Sequence, residues 1–495
     1  MDDDGTHTQK NGTNNRQQLG GLKPVLGRVA LINIGIGAVI GTGIFVLTGI
    51  AAAQHAGPAL TLSFVIAALG CCFAALCYAE FATMLPTSGS VYSYTRHALG
   101  EPIAWFVGWN LVLEYLFGAA TVSVGWSGYI NSLFQQFHIS VPSALSQAPL
   151  RKGDGPLGLE LTGSLINLPA VFIILAITAI CTVGTHHSSR INNSFVIIKV
   201  AIVMLFIAVG FFYIDPQNWH PFIPENSGKF GEFGWSGVAQ AAGIVFYTYI
   251  GFDAVSTAAG EAKNPQRDMP IGILGSLIIC SILYIAVSAI LTGLVPYHLL
   301  NVPAPVAVAL DAHPQLAWFS ALIKVGAIAG MTSVILVLIF GQARIFFAMA
   351  QDGMIPTTFA RVHHRYRTPY LSTLATGSVA ALIAGLFPIN ILGELVAIGT
   401  LLAFVTVCIG VWVLRYTQPD IKRPFKVPAV HFCCSAGVLL CGGMAASLPA
   451  DTWWRLLIWS AIGMCMYFLY GQHHSLFRKA AKQNAANPAS ITEVQ

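Results

Sequence analysis

Gly35-Ile36-Gly37-Ala38-Val39-Ile40-Gly41-Thr42-Gly43-Ile44-Phe45 sets four glycines into nine residues, in the middle of the first long apolar run. Each glycine costs roughly 1 kcal/mol against alanine in a helix interior. Inside a bilayer the penalty grows, because backbone groups freed by a break find no water. A break persists there only where it faces a polar cavity, a ligand or other protein. The stretch alone leaves two readings open. Either small residues let a second helix pack closely, or the helix is interrupted to build a binding site.

Composition decides the class. Of 495 residues, 55% are hydrophobic and 9% charged, and the mean hydropathy is +0.68. A soluble domain carries about 25% charged residues. Apolar runs of bilayer length recur, so the chain reads as an all-α polytopic membrane protein surrounded by lipid. The net charge of +5 is not gathered in one block, which argues against a nucleic-acid partner. The ten cysteines all fall in apolar runs and form no CxxC, so they read as packing residues, and no metal site is expected. Met1 to Gly21 is polar, lacks an apolar h-region, and reads as a disordered tail and not a signal peptide. Lys479 to Gln495 reads the same way.

Twelve spans are expected, at about 28–52, 58–84, 101–134, 164–183, 191–214, 236–260, 270–295, 315–350, 369–387, 391–415, 428–448 and 452–471. The third and eighth are long enough to tilt or to extend beyond the membrane. With both termini in the cytoplasm, Lys and Arg crowd the cytoplasmic side. Only Arg151, Lys152, Lys229 and Arg455 then lie outside, while Lys199 and Lys324 fall within spans. This places the chain in the plasma or inner membrane. The external segment from about 135 to 163 reads as a solvated cap.

A second interruption, Phe246-Tyr247-Thr248-Tyr249-Ile250-Gly251-Phe252-Asp253, lies deep in the sixth span. An offset of five spans inverts one unit against the other across the membrane. Broken helices at matching places in inverted halves point to a transporter's substrate site. The expected units are a tail, 1–27; a first repeat with its external loops, 28–235; an inverted repeat, 236–415; two further spans, 416–471; and a second cytoplasmic tail, 472–495. At about 1.5 Å per residue, Gly41 lies roughly 20 Å into its helix, and Ile250 is at a similar depth from the other side.

An unwound segment presents N–H groups at the start of one half-helix and carbonyls at the end of the other, suiting an anion and a cation respectively. A zwitterionic amino acid has both charges. The N–H groups of Gly41, Thr42 and Gly43 suit its carboxylate. Carbonyls near Val39 and Ile40, and those of Tyr247, Thr248 and Ile250, suit its ammonium.

Lys199 lies about eight residues inside the fifth span, deeper than snorkelling to the surface readily accommodates. A lysine there can take and release a proton within a transport cycle, or stand where a sodium-coupled transporter binds its metal ion. Glu114, near mid-depth, is open to a substrate side chain, a proton or a neighbouring hydroxyl. Asp253 suits capping of the lower half-helix better than substrate contact. Glu80 reads as a buried helix–helix link, and Lys324 as snorkelling outward. The loop pairs His186–His187, His363–His364 and His473–His474 read as solvated.

Ile40-Gly41-Thr42-Gly43-Ile44-Phe45 resembles the first-span signature of the amino acid–polyamine–organocation (APC) superfamily. Tyr249 to Thr257, Lys263-Asn264-Pro265-Gln266-Arg267-Asp268-Met269-Pro270-Ile271-Gly272-Ile273, Leu113-Glu114-Tyr115 and the run Leu414 to Pro428 resemble bacterial members of the cationic amino acid transporter (CAT) family. The resemblance covers about Leu22 to Gly471. It implies twelve transmembrane helices, a LeuT-type five-plus-five inverted repeat with broken helices 1 and 6, and a proton-coupled amino acid permease without other cofactors. It assigns the carboxylate turn to Gly41, Thr42 and Gly43, the span-six carbonyls to Tyr247, Thr248 and Ile250, and proton coupling to Lys199. Glu114 matches the family's span-three glutamate, and Met331 falls where span eight faces the substrate side chain. Gly260, before Glu261, replaces an acidic residue usual in relatives and weakens any gate there. A methionine at 331 shortens the pocket and disfavours arginine, pointing to small or medium neutral L-amino acids.

The resulting expectation is a symporter working by alternating access. An exchanger without net proton movement is the alternative. A channel or receptor lacks a visible filter or continuous polar pore. An intramembrane aspartyl protease lacks a second aspartate facing Asp253, so the chain does not read as an enzyme.

Overall fold

The computed structural model describes residues 26–84, 90–153, 159–183, 188–257, 259, 262–364, 366 and 368–476. Residues 1–25 and 477–495 of the expected tails lie outside the described residues, as do Gly260, Glu261, His186 and His187.

Helices dominate. In chain order they include α1 (Arg28–Val39), α2 (Leu60–Met84), α3 (Ser90–Leu99), α4 (Glu101–Val112), α5 (Gly118–Gln136), α6 (Leu168–Val183), α7 (Ser188–Gly210), α8 (Gly234–Val245), α9 (Ala254–Thr257) and α10 (Pro265–Leu294). They continue with α11 (Pro305–Asp311), α12 (Ala317–Gln351), α13 (Tyr370–Leu386), α14 (Ile389–Thr417), α15 (Val430–Ser447) and α16 (Ala450–Met466). Among the described residues, eight helical stretches are long and apolar enough to cross a membrane, and Arg28–Val39, Leu168–Val183 and Tyr370–Leu386 are shorter apolar helices. The first of these is short because the glycine-rich stretch cuts it.

The two interruptions are real and differ in form. α1 stops at Val39, where Ile40 turns extended with ψ 103°, and the chain resumes as a π-helical turn over Gly43–Leu47. α8 tightens into a 3-10 turn over Phe246–Tyr249. Ile250 is then extended and Gly251 adopts φ +118°, a region that favours glycine, before α9 begins. A second π-turn, Leu113–Phe117, joins α4 to α5 and carries Glu114. Such turns widen a helix by one residue and redirect its side chains.

Packing brings the interrupted segments together. α10 lies along both α1 and α2, and α8 also packs on α2. Beside this group, α12 packs on α5, α6, α7 and α13. Polar clasps tie the ends. Glu80, on α2, accepts from Arg415 at 2.7 Å and the Val427 N–H at 2.7 Å, and Arg423 approaches it at 3.3 Å. The helix-linking reading of Glu80 therefore describes a buried ion-pair knot. Arg423 also donates to the carbonyls of Leu414, Gln418, Pro419 and Ile421, which gives the Leu414–Pro428 run a structural job.

Two expectations change. Lys324 does not snorkel outward: it is 2% exposed and donates to Asp311 at 3.0 Å, because α11 folds back over the start of α12. The 135–163 segment is not a loose solvated cap. Its strands Leu150–Lys152 and Leu159–Leu161 pair antiparallel, and Lys152 donates at 2.7 Å to Glu394, itself buried on α14. The cysteines are free, and Cys465 is the one exposed to the surroundings. His363 stacks on Tyr366 and His474 on Tyr470.

Candidate functional site

Close backbone approach explains the glycines at both breaks. A Cβ on Gly43 would lie 2.7 Å from the Cα of Thr248, and one on Gly251 would lie 2.8 Å from the carbonyl carbon of Ala38. Each interruption thus presses a glycine against the backbone of the other. Gly35 is different: its added Cβ would strike Ser276 on α10, so this glycine serves helix packing.

A cavity of about 20 Å³ lies between the breaks. That is room for about one water. Of the residues singled out from the sequence, Val39, Gly41, Thr42, Gly43, Glu114, Tyr247 and Ile250 line it. Ile40, Thr248 and Met331 are buried nearby without lining it. On α12 the lining residues are Val334 and Leu338, one and two turns beyond Met331. Ala38, Gly118 and Val122 complete the wall. Gly118 and Val122 follow Glu114 at four-residue spacing, and that helical period was the signal available for finding them.

The carbonyl end of α1 is heavily capped. Lys199 is completely buried, and its Nζ donates to Gly37 at 2.6 Å and Ile40 at 3.1 Å. The Tyr284 hydroxyl donates to Val39 at 2.8 Å. A cation at a helix C-terminus answers both the orphaned carbonyls and the helix dipole. Lys199 makes no ion pair among the described residues. It sits behind the cavity wall, not in the cavity. Beyond the break, the Thr48 hydroxyl donates to Gly43 at 3.0 Å and the Tyr129 hydroxyl to Phe45 at 2.8 Å.

Glu114 is 1% exposed and accepts from Thr400 at 3.3 Å. Its carboxyl lies beside that of Asp253, which is fully buried. Asp253 therefore has a carboxyl neighbour within the fold, although that neighbour is a glutamate from another helix. Asp253 immediately precedes α9, and its carboxyl faces the N–H groups of Gly251 and Ala254.

The two ends of the molecule differ around this site. At one end Arg28 pairs with Asp268 at 2.8 Å and Leu26 bridges to Ala262, closing the approach along α1. Towards the other end opens a cavity of about 610 Å³. Val46 and Gly125 line it, and both lie immediately beyond Thr42 and Gly43.

Residues 26–468 match the family model described as amino acid permease. The chain is 47% identical over 458 residues to the methylthioribose transporter of Bacillus subtilis (strain 168), covering 92% of this chain and 95% of that one. It is also 47% identical over 456 residues to the branched-chain amino acid permease BcaP of the same organism, covering 92% and 94%. Cationic amino acid transporter 4, vacuolar, of Arabidopsis thaliana is 37% identical over 401 residues, covering 81% of this chain and 64% of that one.

Proposed function

The chain belongs to the amino acid permease family, and on that premise we propose that it is a secondary active amino acid transporter with protons as the coupling ion. In this reading twelve spans cross the plasma or inner membrane with both termini in the cytoplasm. Residues 28–235 and 236–415 form the LeuT-type inverted repeat, and 416–471 add two spans. The observation that carries the reading is the meeting of the two breaks, Gly43 against Thr248 and Gly251 against Ala38, around one cavity.

The N–H groups of Gly41, Thr42 and Gly43 begin the second half-helix of span one and bind the substrate carboxylate. The carbonyls of Tyr247, Thr248 and Ile250 take the ammonium, with the second lone pairs of Val39 and Ile40. The side chain lies among Gly118, Val122, Val334 and Leu338, beside Glu114 and one turn from Met331. This apolar wall supports a small or branched aliphatic substrate. The relatives named for methylthioribose and for branched-chain amino acids are equally similar, so the wall and not the likeness carries the choice.

Transport proceeds by alternating access. The larger cavity is the external approach, and the Arg28–Asp268 pair holds the cytoplasmic side shut. Lys199 ties α7 to the end of α1. Gaining and losing a proton there strengthens and weakens that tie, which couples the proton to the movement of the first half-helix.

The test is uptake into proteoliposomes of an amino acid panel plus methylthioribose, with and without an imposed proton gradient. Neutral aliphatic amino acids are expected to accumulate under the gradient. Counterflow without gradient-driven accumulation identifies an exchanger. Uptake of methylthioribose and of no amino acid overturns the substrate class.

A further inference from the structure

Gln342, on α12, is 0% exposed, yet neither end of its amide has a hydrogen-bond partner among the described residues. An amide carries a carbonyl acceptor and an NH₂ donor group. Burying both without partners costs free energy and returns none. Buried polar side chains are for this reason nearly always bonded. The local sequence gives no cause for a polar residue here, since Leu338, Ile339, Phe340, Ile345 and Phe346 flank it. A leucine or methionine of similar size would carry no such cost.

Its place in the fold gives the cause. Val334 and Leu338 line the cavity between the breaks, and Gln342 follows them at four-residue spacing on the same face of α12. α12 begins at the end where the larger cavity opens. Lys324 reaches Asp311 and Gln136 there, and Gln135 and Val308 line that cavity. From there α12 runs past Leu338 towards the end closed by Arg28 and Asp268. Gln342 therefore lies one turn beyond the substrate cavity on the closed side, about 14 Å short of the end of α12.

At this level the molecule is shut. A Cβ on Gly341, the preceding residue, would lie 2.6 Å from the ring of Tyr115, so α12 and the π-turn are in close contact beside Gln342. α12 also packs on α1, the half-helix that begins at Arg28. Parting the Arg28–Asp268 pair frees the start of α1 and uncovers this face of α12.

We propose that Gln342 belongs to the inner exit path, where its amide meets the zwitterion leaving the cavity once the Arg28–Asp268 closure parts. The NH₂ group donates to the carboxylate and the carbonyl accepts from the ammonium, so one neutral side chain serves both charges. The polarity left unused in the closed protein is used in the open one. The unpaired amide also weakens the closed state, which keeps the open state within reach. The inference rests on the transport reading for its ligand, and on the closed end of the molecule for its geometry.

The test labels the full chain carrying Gln342→Cys with a membrane-impermeant thiol reagent, in inside-out membrane vesicles without substrate. Peptide mass identifies the labelled position, so the native cysteines do not interfere. Labelling is expected to be slow, and to become about tenfold faster with Arg28→Ala, the gain when an open state rises from about 1% to about 10% of the population. An unchanged rate overturns the proposal, as does faster labelling from the external face. Gln342→Leu supplies an independent measurement. It is expected to raise the melting temperature of the purified chain and to lower the turnover of uptake severalfold at unchanged KM. A lower melting temperature, or wild-type turnover, overturns the proposal. If the wild-type chain takes up no amino acid, the transport reading fails, while labelling and melting still decide whether Gln342 lies on an inner path.

Discussion

The two helix breaks are the same kind of defect, satisfied from different sources. At the first, the loose carbonyls are met by donors from elsewhere: Lys199 on Gly37 and Ile40, Tyr284 on Val39, Thr48 on Gly43. At the second the donors are local: Thr248 bonds back to Val245 at 2.6 Å, and the N–H groups of Gly251 and Ala254 face the Asp253 carboxyl. An interruption in a membrane is tolerable only when its freed groups are satisfied. The first break is satisfied by the protein and behaves as an anchor. The second is held by residues close to it in sequence.

The largest effect should come from filling the contact between the breaks. Gly43→Ala puts a Cβ against the Thr248 backbone, which cannot rotate away, and should abolish uptake. Gly41→Ala meets only the side chain of Val334, at 3.1 Å, and should fold while raising KM. Equal uptake kinetics for the two variants would show that the breaks do not depend on their mutual approach.

Removing the anchor comes next. Lys199→Ala leaves the Gly37 and Ile40 carbonyls without a charged donor, a loss of about 3 kcal/mol. Thermal unfolding in detergent should register it, and uptake should stop responding to an imposed pH gradient. A wild-type gradient response in a folded Lys199→Ala protein would remove this residue from coupling.

Gly251→Ala should be milder, about 2 kcal/mol, from φ +118° and contact with Ala38. A melting temperature matching wild type would show that the second break rearranges freely. Tyr284→Phe deletes one neutral donor from Val39 and should cost about 1 kcal/mol while leaving the gradient response intact. If it removed that response, the anchor would be a network and not Lys199 alone.

Much of this site was legible from local pattern. Glycine density marked the first break, polar residues around Gly251 deep in an apolar span marked the second, and depth marked Lys199 as a buried cation. The lining by Gly118 and Val122 was legible too, in the helical period from Glu114. Other features had no local signal. Lys324 and Asp311 are 13 positions apart, and only the fold-back of α11 makes them partners. Asp253 was marked by its place before a helix, but nothing local marked Glu114 as its neighbour.

Alone, the sequence determined that the chain crosses a membrane and that two of its helices are interrupted. Hydropathy and glycine content are properties of neighbouring residues, so they can be read along the chain. The tertiary structure decided which donors reach which carbonyls, that Gly35 packs while Gly43 meets the other break, and that Glu114 lies beside Asp253. Those facts depend on distances between residues up to 245 positions apart, as Tyr284 and Val39 are. Burial sets their energetic weight, and it exists only once the helices have packed.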